Sequence, residues 1–301
     1  MSETVIVLNP NSGSGDHVRS IRDRAELRGD RVKLTEEAGD AITLAQEVAE
    51  AGTSTIVAAG GDGTVNEVVQ GIDRADALAD VTLGILPVGT GNNFAKNVGI
   101  TDLDSAFAIL EDGKRRKIDI GEATDRLFLN SCVAGLTAQS SSETSPEMKS
   151  RLGVLAYVIT TLRSVSDFDT LPLSVDIEGG ESETTEWTGD AICILVGNGR
   201  RFTTSGSSQA NMEDGLLEVT IIEDVSTLDL MSNTLVKRLL GEDSPHIARM
   251  RASKLTIAIR KPESIQYSLD GEIIQQRQLS LDVRPRTLTL AVGDTYAPNP
   301  D

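Results

Sequence analysis

The feature that most narrows the folds open to this chain is a repeated form: a short apolar strand, a glycine-rich loop, then a helix-like stretch. Thr4-Val5-Ile6-Val7-Leu8 runs into Asn9-Pro10-Asn11-Ser12-Gly13-Ser14-Gly15, and Thr55-Ile56-Val57-Ala58-Ala59 runs into Gly60-Gly61-Asp62-Gly63-Thr64. Val81-Thr82-Leu83-Gly84-Ile85-Leu86 then leads to Pro87-Val88-Gly89-Thr90-Gly91-Asn92-Asn93. A further strand, Val32 to Thr35, and a helix opening at Gly39-Asp40 lie between them. Strands alternating with helices specify a parallel sheet with right-handed crossovers. Ligands collect at the carboxyl ends of such strands, so the three loops and Thr35 are expected to face one crevice.

Glycines allow the backbone to approach a ligand closely, and the helix that follows each loop offers unpaired N–H groups to an anion. One such loop is a tight turn with a capping residue. Three in succession, each with small hydroxyl or amide side chains, are better explained by a shared anionic ligand. No Gly-Lys-Ser/Thr follows at the Walker A spacing, and no G-x-G-x-x-G pattern is present. Phosphate here must be held by backbone N–H groups with Ser12 or Ser14.

Two short helices are expected near Asp102 to Leu110, before the basic cluster Lys114-Arg115-Arg116-Lys117 and the strand Ile118-Asp119-Ile120-Gly121. The cluster is either the solvated lead-in to a strand or a contact for a membrane surface or phosphate. Asp119 is a carboxylate in an apolar strand, where burial is costly without a partner, so a metal-bound water or a cation is expected beside it. From Glu122 the pattern turns to strands, at Arg126 to Asn130, Leu171 to Glu178, Gly189 to Val196, Leu216 to Ile222, Lys254 to Arg260, Ile265 to Leu269 and Leu279 to Arg284. Helices are expected near Leu152 to Ser164 and Thr227 to Leu240, a serine-rich loop over Ser140 to Ser145 and a hairpin tip over Gly179 to Thr185. This composition specifies a second domain, an antiparallel β-sandwich.

Two segments of that second half carry clustered oxygen donors. Asn211-Met212-Glu213-Asp214-Gly215-Leu216 is either an ordinary Asp-Gly turn or a loop that holds Mg2+ through a carboxylate and backbone carbonyls. Ser268-Leu269-Asp270-Gly271-Glu272 by itself is a hairpin turn. Beside phosphate loops it supplies what phosphoryl transfer needs, a carboxylate to take the hydroxyl proton and another to hold a metal. Spacing does not decide which of Asp270 and Glu272 takes the proton.

Charge restricts partners and habitat. The 46 Asp and Glu residues against 28 Lys and Arg give a formal charge of -18, only 8 of the basic residues are Lys, and aromatic residues make up 3%. Nucleic acid is therefore not an expected partner. Dense acidic charge with little lysine suits concentrated salt, where screening acts over a few ångströms, so a halophile's cytoplasm is the expected setting. Thr4 to Leu8 has only a strand's length, and no apolar run approaches a bilayer span. Cys132, Cys193, His17 and His246 offer no zinc or iron spacing, which leaves oxygen ligands for any metal. A length of 301 residues favours two domains.

Asn9-Pro10-Asn11-Ser12-Gly13, Gly60-Gly61-Asp62-Gly63-Thr64-Val65-Asn66-Glu67 and Leu86-Pro87-Val88-Gly89-Thr90-Gly91-Asn92 resemble the three N-terminal motifs of the diacylglycerol kinase catalytic-domain family. That family includes soluble bacterial and archaeal lipid kinases and the sphingosine and ceramide kinases. The resemblance implies an α/β, three-layer Rossmann-like (NAD kinase-like) domain over residues 1–122, to which residues 286–301 return through the strand Thr287 to Val292. It implies a β-sandwich acceptor domain over 123–285. The implied reaction is ATP- and Mg2+-dependent phosphorylation of a hydroxyl of a diacylglycerol-like lipid at the cleft of the two domains, by a cytoplasmic protein that visits a membrane surface. Strand edges of the second domain could pair in a homodimer.

Carried over residue by residue, the resemblance places Asn9, Pro10, Asn11, Ser12, Gly13, Thr35, Gly60, Gly61, Asp62, Gly63, Thr64, Val65, Asn66 and Thr90 around the nucleotide. Asp62 and Asp119 would organise its metal, with Asp62 aimed at a metal-bound water and not used as a cap. Glu272 would be the base, with Asp270 close to it. A structural Mg2+ would be held by Asp214 with main-chain oxygens of Asn211 and Leu216. The chain departs from the family's pattern in two places. Asn92-Asn93-Phe94 stands where many relatives have Asn-Asp-Phe, and Gly199-Arg200-Arg201-Phe202-Thr203-Thr204-Ser205-Gly206, after Val196-Gly197-Asn198, lacks a glycine run. A glycine-Asp-glycine turn also occurs in NAD kinases, but Asn9-Pro10 and Asp270-Gly271-Glu272 argue against that class. A non-catalytic lipid- or nucleotide-binding module would be favoured only by the lost acid at Asn93.

Overall fold

The computed structural model describes residues 4–135, 170–180, 184–202, 208–224 and 246–300. The helices expected near Leu152 to Ser164 and Thr227 to Leu240 and the serine-rich loop over Ser140 to Ser145 lie outside the described residues. The chain divides into two compact units, Met1–Ile120 with Arg284–Pro298, and Gly121–Val283 with Asn299–Asp301.

The first unit alternates as its apolar pattern requires: β1 (Thr4–Leu8), α1 (His17–Arg28), β2 (Arg31–Leu34), α2 (Asp40–Glu50), β3 (Thr55–Gly60), α3 (Asp62–Arg74), β4 (Thr82–Pro87), α4 (Asn93–Asn97), α5 (Leu103–Asp112) and the start of β5 (Lys114–Ala123). β1 lies parallel between β2 and β3, and β4 extends the sheet beyond β3. Val5 to Leu8 and Ile56 to Ala59 are fully buried, as expected of parallel strands covered on both faces. Register does the work that matters for function. Leu8 pairs with Leu34 and Ala59, and Ala59 pairs with Leu86, so these strands end level and their loops emerge side by side.

The basic cluster is itself part of β5. The Arg115 guanidinium donates to the carbonyls of Ile109, Leu110 and Gly113 at 3.0, 2.7 and 2.7 Å, closing the C-terminus of α5, where a cation also meets the negative end of the helix dipole. Lys114 pairs with Asp294 at 3.4 Å. The opposite end of α5 is fixed by a capping box of Asp102 with Ser105.

The second unit holds β6 (Arg126–Phe128), β7 (Ser131–Gly135), β8 (Leu171–Glu178), β9 (Thr184–Gly197), β10 (Leu217–Glu223), β11 (Ile247–Ala252), β12 (Lys254–Ile259), β13 (Ile265–Leu269), β14 (Glu272–Gln276) and the first part of β15 (Gln278–Val292). Among the described residues of this unit, the ladders that join strands β7 through β14 are antiparallel. β9 serves two ladders: Thr184 to Ala191 pair with β8, while Cys193 to Gly197 lie between β7 and β10. Its core gathers Phe128, Val175, Ile194, Val219, Leu255, Ile257, Tyr267, Leu279 and Leu281. The two last strands expected from sequence are one. β15 runs through Pro285 with Arg286 at φ 50, a kink in place of a break, and its end pairs parallel with β4 through Thr289 and Leu290 in the first unit.

Candidate active site

The three glycine loops of the first unit enclose a concavity of about 600 Å3, lined by Asn9, Asn11, Ser12, Gly13, Thr35, Gly61, Gly63, Thr64 and Thr90 among the expected residues. The loops are locked backbone to backbone. A Cβ on Gly13, at φ +58, would meet the Val88 carbonyl oxygen at 2.4 Å, and one on Gly89 would meet the Gly61 Cα at 2.3 Å, so only glycine fits at either contact. Asn9 ties the arrangement together: its N–H donates to the Ala59 carbonyl at 2.9 Å, its Nδ2 to Thr64 Oγ1 at 3.3 Å, and its Oδ1 accepts the Asn11 N–H at 2.9 Å. Gly61, Gly63 and Thr64 belong to the start of α3, whose first turn presents N–H groups to the concavity.

Sequence reasoning missed Glu36, Glu37, Ala38, Glu67 and Gly89 in this lining. The first three were within reach, because they follow Thr35 at a strand's carboxyl end. Asp40 accepts the N–H groups of Glu37 and Glu36 at 2.9 and 2.8 Å, which shapes that loop and holds the Asp40 carboxyl below its ordinary range. Conversely, Val65 is fully inside the core and Asn66 is buried, accepting from Gln70 Nε2 at 3.1 Å. Both sit on the inner face of α3, not in the concavity. Pro10, Gly60 and Asp62 are also absent from the described lining, although Gly60 leaves the room that Thr64 needs.

Asp62 does cap a helix, contrary to expectation, though not its own. One oxygen accepts the Phe94 N–H at 2.9 Å; the other accepts the Asn93 N–H at 3.0 Å and Asn93 Nδ2 at 3.3 Å, so the carboxylate sits on the first turn of α4. The amide at Asn93 is a donor to Asp62, where a second carboxylate would need a cation. Asp119 is 1% exposed and accepts the backbone N–H of Arg286 at 2.7 Å, a main-chain partner for a carboxylate inside an apolar strand.

In the second unit Asp270 and Gly271 are the two-residue turn joining β13 to β14, with Leu269 facing Glu272 and φ of 50 and 105 as a type I′ hairpin requires. The Asp270 carboxylate reaches back to accept the N–H groups of Leu129 (2.6 Å), Asn130 (2.9 Å) and Ser131 (2.8 Å). Asn198, which is buried, holds the same segment from its carbonyl side. Its Nδ2 donates to the Leu129 carbonyl and its N–H to that of Asn130, each at 2.9 Å. Glu272 stands outside this clamp, 54% exposed at the start of β14 and ion-paired with Arg126 of β6. Cys132 and Tyr267 lie nearby and stay neutral. Burial raises the thiol, with the Asp270 charge adding to it, and burial raises the phenol.

Residues 3–123 match the model of the diacylglycerol kinase catalytic domain, and residues 130–292 that of the YegS C-terminal NAD kinase beta sandwich-like domain. The chain belongs to the diacylglycerol kinase catalytic-domain family. A "probable lipid kinase YegS-like" of Pseudomonas putida is 35% identical over 302 residues, covering 96% of this chain and 94% of the relative. A protein of the same description from Enterobacter sp. is 31% identical, covering 95% and 94%. A solved diacylglycerol kinase structure from Bacillus anthracis superposes with a TM-score of 0.73 at 20% identity over 98% of each chain, a likeness of fold. Membership makes this chain a phosphotransferase of the kinase class, in a family of lipid kinases.

The concavity carries acidic side chains. Glu36, Glu37 and Glu67 are present, and no Lys or Arg occurs among the described lining residues. A polyphosphate therefore fits as its complex with a divalent cation, met by backbone N–H groups. Among the described residues no three His, Cys, Asp or Glu side chains converge on a metal position. The second metal set implied by the resemblance fits less well. Asp214 Oδ1 accepts the Leu216 N–H at 3.0 Å, while Oδ2 is ion-paired with Arg251.

Proposed function

We propose that this chain is an ATP- and Mg2+-dependent lipid kinase that transfers the γ-phosphoryl group of ATP to a hydroxyl of a diacylglycerol-like lipid. The observation that carries the reading is the concavity built by three interlocked glycine loops at the N-terminus of α3, an anion site without cationic side chains. Asn9, Asn11, Ser12, Gly13, Thr35, Gly61, Gly63, Thr64 and Thr90 hold the nucleotide. Bound magnesium would neutralise phosphate charge through the transfer. Asp62 and Asp119 would act on its surroundings only indirectly, as their carboxylates also accept main-chain N–H groups.

The base is Glu272. The acceptor's O–H proton passes to the Glu272 carboxylate as its oxygen bonds to the γ-phosphorus and the bond to the bridging oxygen of ADP breaks. Arg126 orients that carboxylate. Asp270, occupied by three main-chain N–H groups, positions the strand that carries Glu272. The protein is cytoplasmic and meets its acceptor by visiting a membrane surface. Among the described residues no helix is long and apolar enough to cross a membrane.

Labelled ATP with Mg2+ in concentrated KCl, offered either diacylglycerol in mixed micelles or NAD, tests the proposal. Label in the lipid phase is expected. Label on NAD, or on neither acceptor, would overturn it.

A further inference from the structure

The loop that leads into β10 is held by an arginine at the place where the resemblance implies a metal ion. β10 and β11 pair antiparallel with Glu218 facing Arg251 and Leu217 facing Ala252. This register delivers the Arg251 side chain to the end of loop 211–216. One terminal nitrogen donates to Asp214 Oδ2, and Nε lies 3.4 Å from Glu218 Oε1. The other Asp214 oxygen is taken by the Leu216 N–H at 3.0 Å. Asn211 closes the loop from its far end, accepting the Glu213 N–H at 2.9 Å and donating to Asn299 Oδ1 at 3.1 Å.

A structural Mg2+ wants near-octahedral oxygen ligands, with a carboxylate as its anchoring anion. Here that carboxylate is already neutralised by a guanidinium, which fits carboxylate geometry better than any other side chain. Arg201 also acts on Glu218, favouring its charged form together with Arg251, although burial prevails and raises the Glu218 carboxyl. The Arg251 guanidinium thus bridges two carboxylates, and a divalent ion would sit beside like charge. The side chains of Arg251, Asp214 and Glu218 are 34%, 22% and 21% exposed, so salt screens the group less than it does the surface.

We propose that Arg251 takes the place of the structural cation: loop 211–216 is organised by the Asp214–Arg251–Glu218 ion-pair group, and the second unit needs no metal to fold. The proposal is independent of the kinase reading, because its test measures stability and metal content, not turnover.

The whole chain and Arg251→Met are stripped with EDTA, desalted, assayed for magnesium by mass spectrometry, and melted with EDTA or with MgCl2 at matched ionic strength in KCl. The wild type is expected to hold no magnesium and to melt at the same temperature in both. Arg251→Met is expected to melt lower by roughly 2 to 8 °C. Stoichiometric magnesium surviving the chelator, a wild-type melting point that falls in EDTA, or a variant that melts like the wild type would each overturn the proposal. If Arg251→Met does not fold, the wild-type measurements decide alone.

Discussion

Asp270 and Glu272 differ by two positions and do different work. Asp270 is enclosed by the N–H groups of residues 129–131, about which its own sequence neighbourhood says nothing, since the partners lie some 140 residues away. Spacing therefore does not distinguish the two carboxylates, whereas their partners do: Asp270 is held by main-chain N–H groups and Glu272 by Arg126. Replacing Asp270 by Asn turns an amide N–H2 toward backbone donors and leaves at least one unsatisfied. The expected loss is on the order of 3 kcal/mol of unfolding free energy in urea or thermal melts. Unchanged stability in Asp270→Asn would show that the clamp carries little. Asn198 was passed over for a similar reason. A motif such as Val-Gly-Asn shows a strand end, but not that its amide grips Leu129 from the other side.

The first unit was legible as elements because each signal was local: apolar strands of buried type, glycines at their ends and helices after them. That the loops share one concavity needed only the rule about strand ends, with register supplying the proof. Val65 follows the glycine motif in sequence, but the helical period turns its side chain inward. Val65, Val68, Val69 and Ile72 recur at helical spacing on the inner face of α3. In the second unit three strands escaped. β7, Ser131–Gly135, is short and built of small residues; β11, Ile247–Ala252, is interrupted by Arg249 and Arg251; and β14, Glu272–Gln276, is an exposed glutamine-bearing edge. None has the apolar run that marks a buried strand. β11 supplies Arg251, so the ion-pair group at Asp214 was invisible without the pairing of β10 with β11. Pro285 suggested a break in β15, yet proline only removes a donor, and the chain continues past it with Arg286 at positive φ.

At the scale of the molecule, the charge of -18 sets the conditions under which the rest can hold. Several of the described ion pairs join exposed side chains, which contribute little individually, so repulsion within the acidic surface is the larger effect. Helix and strand content by circular dichroism is expected to rise with KCl and to be complete only in concentrated salt. Full folding at low salt would remove the halophilic reading and leave the kinase reading intact. The central proposal is that Glu272 activates the acceptor hydroxyl. Its most direct test is the rate of label transfer from ATP to diacylglycerol by Glu272→Gln, measured beside its melting temperature and nucleotide affinity. The account predicts a rate about 100- to 10,000-fold below wild type with both other quantities unchanged, as for loss of a general base; a rate close to wild type would contradict it.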